Sequence, residues 1–232
     1  MSMGNSKSLV SQLKQSIRSV KNSVALERWF SGQPIRQSNQ NDKESRVQHL
    51  YAKVKNCTLC EISKTKTNVV FGEGSVNAEL VFIGEAPGRD EDLSGRPFVG
   101  VAGQLLSRII QAMGFKRQDV YITNILRCRP PQNRNPNPQE ICNCRPYLLA
   151  LLKIIKPKVI CALGKFAATT LLDDPGPISK LRGKFFEFEG MKLLPTYHPA
   201  YLLRNPQDKK LAWQDMQKIM KVLGGHETRK TG

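Results

Sequence analysis

Four short apolar runs, each leading into a polar or glycine-bearing turn and then into a stretch of helical periodicity, constrain this chain more than any other feature. The runs cover residues 80–83 (Leu-Val-Phe-Ile), 120–123 (Val-Tyr-Ile-Thr), 159–162 (Val-Ile-Cys-Ala) and 192–195 (Lys-Leu-Leu-Pro). Their length and branched or aromatic content read as buried strands. Apolar spacing predicts helices near residues 45–55, 102–113, 138–155, 165–172 and 208–223. Strand–helix alternation of this kind implies an α/β fold with a mainly parallel sheet covered on both faces. Sheets of that class bind ligands beyond the carboxyl ends of their strands. Glu85, Asn124, Gly164 and His198 follow the four runs in turn, so the loops are expected to converge on one site.

The first of those loops is the richest. Gly84-Glu85-Ala86-Pro87-Gly88 breaks the strand with a turn that carries a carboxylate, and Gly95-Arg96-Pro97-Phe98-Val99-Gly100 follows it closely. An exposed Phe98 in such a loop is poor core material and good material for stacking on a flat ring. Asn124 offers one acceptor and two donors, which suits the imide edge of a pyrimidine. Standing alone it reads equally as an Asx turn or a helix cap. His198, in Thr196-Tyr197-His198-Pro199-Ala200-Tyr201, ends a strand and is fixed by the following proline. His49 lies in a charged helical stretch and His226 near the end of the chain, so neither competes as a catalytic group.

The chain has 232 residues and a formal net charge of +17. That length buries a core without disulfide staples. The charge exceeds the magnitude of about 2–8 that solubility needs, and it points to a polyanionic partner, most simply nucleic acid. Residues 1–41 contribute Lys7, Lys14, Arg18, Lys21, Arg28 and Arg36 against Glu27, so +5, and +12 belongs to the rest. Residues 1–43 read as a basic extension with an amphipathic helix over Leu9, Leu13, Ile17, Val20 and Val24. Trp29-Phe30 is placed to dock it. A nucleic-acid-contacting arm, an organellar transit peptide and a partly disordered extension all fit that segment. Residues 44–223 form the main domain and 224–232 a flexible tail. With no apolar run of about 18 residues and no secretory h-region, the expectation is a cytoplasmic protein with no membrane partner.

Six cysteines in a chain this long, two of them as Cys57-Thr58-Leu59-Cys60, read as metal ligands rather than disulfides. Cys128 and Cys144 join them, each in basic, proline-bearing surroundings (Arg127-Cys128-Arg129-Pro130 and Cys144-Arg145-Pro146). Four thiolates suit structural zinc or an iron–sulfur core, and spacing does not choose between the two. Cys142 is a spare that points elsewhere than Cys144 if residues 138–155 are helical. Cys161, inside a strand, reads as small, buried and inert.

Taken together, GEAPG with Glu91-Asp92 behind it, GRPFVGVAGQLL, VYITNILRCRPPQNR, CRPYL, LPTYHPAYLLRNP and the CxxC resemble the uracil-DNA glycosylase superfamily. The closest resemblance is to family 4, its iron–sulfur type. The resemblance runs from about residue 51 to about residue 222, in order and in register. It implies a three-layer α/β/α sandwich with a central, mainly parallel sheet, a [4Fe-4S] cluster and excision of uracil from DNA by a monomeric, monofunctional enzyme of the bacterial cytosol. Residue by residue, it implies that Phe98 stacks on a flipped uracil, Asn124 reads its polar edge and His198 sits by its O2. Glu85 assists catalysis. Ala86, Glu91 and Asn133 match pocket positions, Glu91 as the group that crowds the 5-methyl of thymine. Cys57, Cys60, Cys128 and Cys144 match the cluster ligands.

Leu202, Leu203 and Arg204 match a loop that wedges into the gap left by a flipped base. For the two leucines, packing within a helical turn is an equal alternative. Arg129, Arg134 and Lys165 read as phosphate contacts. A related branch of the superfamily carries a basic, histidine-containing insertion that traps the excised site covalently. None lies between Cys144 and His198, so turnover is expected. Two competing readings are a metal-stabilised DNA-binding module without catalysis and an iron–sulfur electron carrier. The first leaves Glu85, Phe98, Asn124 and His198 without a purpose, and the second leaves the charge unexplained.

Overall fold

The computed structural model describes residues 40–174 and 176–224. The amphipathic segment at residues 9–24, Trp29-Phe30 and the tail beyond Gly224 lie outside them. Among the described residues six strands form one sheet: β1 (Glu73–Gly74), β2 (Leu80–Gly84), β3 (Tyr121–Asn124), β4 (Val159–Leu163), β5 (Phe186–Phe188) and β6 (Met191–Thr196). Their order is β1-β3-β2-β4-β6-β5. The four inner strands are parallel, while β1 and β5 pair antiparallel at the two edges. The four runs read from sequence are those four parallel strands, each within a residue or two of its expected ends.

Side chains alternate along each strand and so feed two cores. Val81, Ile83, Ile160 and Ala162 face one side with Leu50, Val54, Leu148, Leu151, Ala167 and Leu171. Those partners come from the helices Gln40–Lys55, Pro138–Ile155 and Gly164–Leu172. Leu80, Phe82, Val159, Cys161 and Leu163 face the other side with Leu106, Ile110, Met216 and Ile219, which come from Val101–Ala112 and Lys209–Val222. Helices on both faces of a buried, mostly parallel sheet make the three-layer α/β/α sandwich. Cys161 is fully buried in the second core, as a small apolar residue.

The strand order places the site. From β2 the chain moves to β3 on one side, then crosses to β4 on the other and on to β6. Connections therefore diverge at β2 and β4, and a crevice opens beyond their carboxyl ends. Register keeps the strand ends level: Gly84 lies opposite Asn124, and Leu163 opposite Thr196.

The helix that carries the later cysteines is set by its cap. The Asn137 side chain accepts from the Glu140 N–H at 2.8 Å, and the Glu140 carboxylate accepts from the Asn137 N–H at 2.9 Å. This is a reciprocal capping box with Pro138 at the first position. The helix ends at Lys156 in the left-handed region.

Candidate active site

A cleft of about 480 Å³ opens at the carboxyl ends of β2 and β3 and is closed by the segment after β6. Glu85, Ala86, Glu91, Phe98, Asn124, Asn133, His198 and Arg204 all line it. Every expected base-contacting residue is therefore in one place. A larger depression of about 1260 Å³ surrounds Gly72 to Val76. Its guanidinium groups are already spent, since Arg96 and Arg117 both pair with Glu73.

Backbone hydrogen bonds align the first two loops: the Ile125 and Leu126 N–H groups donate to the Gly84 and Glu85 carbonyls at 2.9 and 3.0 Å. Gly84 is required by crowding. A Cβ there would lie 2.4 Å from Asn124 Oδ1 and 2.5 Å from Phe98 Cζ. Asn124 is 2% exposed, and its Oδ1 is buried without a hydrogen-bond partner. An unmet buried acceptor facing a cleft is costly unless a ligand donor meets it. With no N–H donating to its Oδ1, Asn124 forms neither an Asx turn nor a helix cap through that atom.

Phe98 corrects its sequence reading. It is 6% exposed rather than displayed, because its ring belongs to the buried cluster with Phe82, Leu106 and their neighbours. The ring centroid lies 5.7 Å from that of His198, tilted by 34°. The backbone of Phe98 sits at φ +52°, a conformation costly for a bulky side chain.

Glu91 supplies the compensation. Its Oε1 accepts from the Val99 and Gly100 N–H groups at 2.9 and 3.0 Å, and its Oε2 from Gly88 N–H at 3.1 Å. Its carboxylate is thus committed to clasping the two loops around Phe98. That is a different task from crowding a methyl group. Asp92 does similar work one residue on, accepting from Thr67 and Asn68 N–H.

His198 caps the helix Pro199–Arg204. Its Nδ1 accepts from Ala200 N–H at 3.1 Å, which leaves Nε2 to carry the ring proton in the neutral form. Burial, with a smaller contribution from Arg204, pushes its pKa down to about 4. The ring is therefore a neutral N–H donor at physiological pH. Gly164, at φ +86°, lets the β4 loop pass beneath it, since a Cβ would lie 2.9 Å from the His198 Cβ. Burial pushes the Glu85 carboxyl up to about 7, at the edge of ionisation. Asn133, at φ +54°, accepts from Arg129 Nε at 2.7 Å.

The wedge residues separate. Leu202 is 1% exposed and packs with Leu105 and Ala212. It is core, since its side chain has no path to a duplex. Leu203 is half-buried against that cluster and Arg204 is exposed at the cleft. Among the expected phosphate contacts, Arg134 is held by Glu140 at 2.6 and 2.9 Å, whereas Lys165 is exposed.

Cys57, Cys60, Cys128 and Cys144 line a second, small pocket, and Cys142 is not among its walls. The helix thus chooses Cys144 over Cys142. Two residues that the sequence reading passed over attend these thiols. Asn143 Nδ2 lies 3.4 Å from Cys60 Sγ and 2.8 Å from the Leu59 carbonyl, and Tyr147 is hydrogen-bonded to Cys57. Their spacing of four on a helix that carries the expected ligand Cys144 was the available signal. Burial pushes the Cys128 thiol up to about 12 and Cys144 to about 11, and a bound cationic centre acts the other way. No group of three or more His, Cys, Asp or Glu side chains among the described residues converges tightly enough to hold one metal ion. Four thiols lining a common pocket are a donor set that fits a [4Fe-4S] cluster and equally fits a single tetrahedral ion.

A model of the Uracil DNA glycosylase superfamily matches residues 71–217. The chain is 46% identical over 179 residues to the Type-4 uracil-DNA glycosylase of Archaeoglobus fulgidus, covering 74% of this chain and 90% of that protein. It is 43% identical over 180 residues to the Type-4 enzyme of Thermotoga maritima (76% and 94%). It is 45% identical over 179 residues to that of Saccharolobus solfataricus (73% and 83%). With the same motifs lining one cleft and relatives matched along most of their length, the chain belongs to the uracil-DNA glycosylase superfamily.

Proposed function

We propose that the protein is a monofunctional uracil-DNA glycosylase, which removes the uracil left by cytosine deamination and leaves an abasic site for base excision repair. The observation that carries this reading is the convergence of a stacking ring, an unmet amide acceptor, a neutral imidazole donor and a carboxyl group in one cleft.

The base must leave the stack first, at a cost of a few kcal/mol that is least for a mispair. Phe98 then stacks on the flipped ring, with Ala86 in the cleft wall. Asn124 Oδ1 accepts from uracil N3–H while its amide donates to O4. Cytosine presents an acceptor at N3 and an amine at position 4, so it cannot satisfy both. The C1′–N1 bond breaks with its electron pair moving to the base. His198 Nε2–H, aimed at O2, stabilises charge that exists only in the transition state. The sugar, now oxocarbenium-like, is attacked by water held by Glu85. One proton goes to the carboxylate and then to solvent, and the departing anion takes one up. The net change is one water consumed, with free uracil and an abasic deoxyribose formed.

Cys57, Cys60, Cys128 and Cys144 are the residues that would hold a [4Fe-4S] cluster. Bound there, the cluster would tie the segment before β1 to the loop after β3 and to the long helix, a structural rather than a redox task. Leu203 and Arg204 are the remaining wedge candidates. No helix among the described residues is long and apolar enough to cross a membrane, and we take the enzyme to act as a monomer on DNA in the bacterial cytosol.

The test is a uracil-containing oligonucleotide treated with purified, cluster-loaded protein and then alkali. Strand cleavage at the uracil is expected, and an intact strand overturns the reading.

A further inference from the structure

Arg127 is 1% exposed and heads the fully buried side chains by size. Guanidinium groups are almost never buried without a carboxylate partner, and none of the ion pairs among the described residues includes this one. What surrounds it is specific. Nη1 donates to the main-chain carbonyl of Asn124, and the guanidinium carbon lies 5.5 Å from the centre of the Phe71 ring. Nε and Nη2 are buried with no hydrogen-bond partner. The groups that act electrostatically on it are Cys144, Cys128 and Tyr121, and the main-chain N–H of Arg127 donates to the Cys144 thiol. One residue thus touches the main chain of the base-reading asparagine and sits against the cysteine cage.

We propose that Arg127 is a positioning residue that couples the two. Its guanidinium fixes the Asn124 main chain on one side and supplies the counter-charge for the metal-bound thiolates on the other. The proposal rests on the reading of those cysteines as cluster ligands. Four thiolates around a [4Fe-4S]²⁺ core leave a net charge of −2, and a buried cation beside them offsets half of it. The same arrangement explains why a buried guanidinium is tolerated here without a carboxylate. It also makes order in the cage a condition for order at Asn124, because Cys128 follows Arg127 directly in the chain.

Two substitutions separate charge from shape. Arg127→Met keeps bulk and removes charge and donors; Arg127→Lys keeps charge and loses the planar fork. Each variant is purified as full chain and measured for iron and labile sulfide per chain, cluster midpoint potential, and kcat and KM on uracil-containing DNA. With Arg127→Met we expect a lower potential, since a positive neighbour favours the reduced cluster, and a kcat reduced about 10- to 100-fold at little-changed KM, as for a displaced positioning contact. Arg127→Lys is expected to restore the potential while kcat stays low. Wild-type potential and kcat in Arg127→Met overturn the proposal. Should that variant fail to fold, wild-type kcat in Arg127→Lys overturns it instead. Wild-type protein that carries zinc and no iron refutes the cluster reading alone. In that case the metal content and kcat of both variants still decide the role of Arg127.

Discussion

At the scale of single residues, the cleft is a pair of opposed pKa shifts. Burial drives His198 down to about 4 and Glu85 up to about 7, so each is nearer its neutral form than in water. For His198 neutrality is the useful state. Ala200 N–H occupies Nδ1 and leaves Nε2 to carry the ring proton as a donor. His198→Ala is expected to lower single-turnover excision by about 10²–10³, as loss of one such donor does, with DNA affinity nearly unchanged in a binding titration. An unaltered excision rate would remove the ring from the reaction.

For Glu85 the useful state is the carboxylate, so excision should rise with pH through about 7 and then level off. Glu85→Gln should give a slower rate that is flat across that range, because His198 titrates well below it. Stability runs the opposite way. A carboxyl whose pKa is raised in the folded state stabilises it below the ordinary value of 4.5. That contribution is lost as pH rises to about 7. Wild-type Tm should therefore fall across this window relative to Glu85→Gln, and parallel Tm curves would contradict the burial assigned to Glu85.

At the scale of elements, the helix Pro199–Arg204 carries both the capping His198 and a candidate wedge, and its packing separates them. Leu202 faces Leu105 and Ala212, and Leu203 lies at the edge of that cluster. Leu202→Ala should cost about 2–5 kcal/mol of unfolding free energy, as removal of a buried leucine does. Leu203→Ala should cost far less stability and instead slow excision from duplex DNA more than from single strands. Equal stability losses in denaturant melts would undo that division.

The same helix shows what sequence could and could not reveal. The four parallel strands were legible because buried runs bounded by turns are a local signal. The edges β1 and β5, two and three residues long, carry too little pattern to see. A pair of adjacent leucines says nothing about which one faces inward until the crossing helix Val101–Ala112 is in place. Glu91 was legible as a pocket residue, but its clasp on Val99 and Gly100 depends on a φ of +52° at Phe98, a strain no local pattern announces. An arginine beside a cysteine reads as charge that helps hold the thiolates, but nothing local singles out Arg127 over Arg129 or Arg145 as the buried one. Its burial comes from Phe71 and the cage, far apart in sequence.

At the scale of the whole molecule, one charge distribution has to serve two purposes. The protein must be drawn to a polyanion, yet burial in the cleft disfavours charge on His198 and Glu85. The cleft wall carries a neutral His198 and a half-neutral Glu85, while Arg134 is tied to Glu140. Exposed cations such as Lys165 and Arg204 are left to meet phosphates around it. Affinity should therefore be governed by ion release and chemistry should not. Each phosphate contact contributes a slope of about −0.9 in log K against log salt for duplex DNA, and about −0.7 for a single strand. Raising salt from about 50 to 200 mM should thus raise KM steeply and leave kcat nearly constant. Residues 1–41 hold +5 of the +17, and +12 remains elsewhere. A chain lacking residues 1–39 should accordingly keep most of the salt slope. A slope that vanishes with that deletion would move the DNA-binding charge out of the glycosylase domain, and a kcat that falls with salt as steeply as affinity does would mean that phosphate contacts position the scissile bond directly.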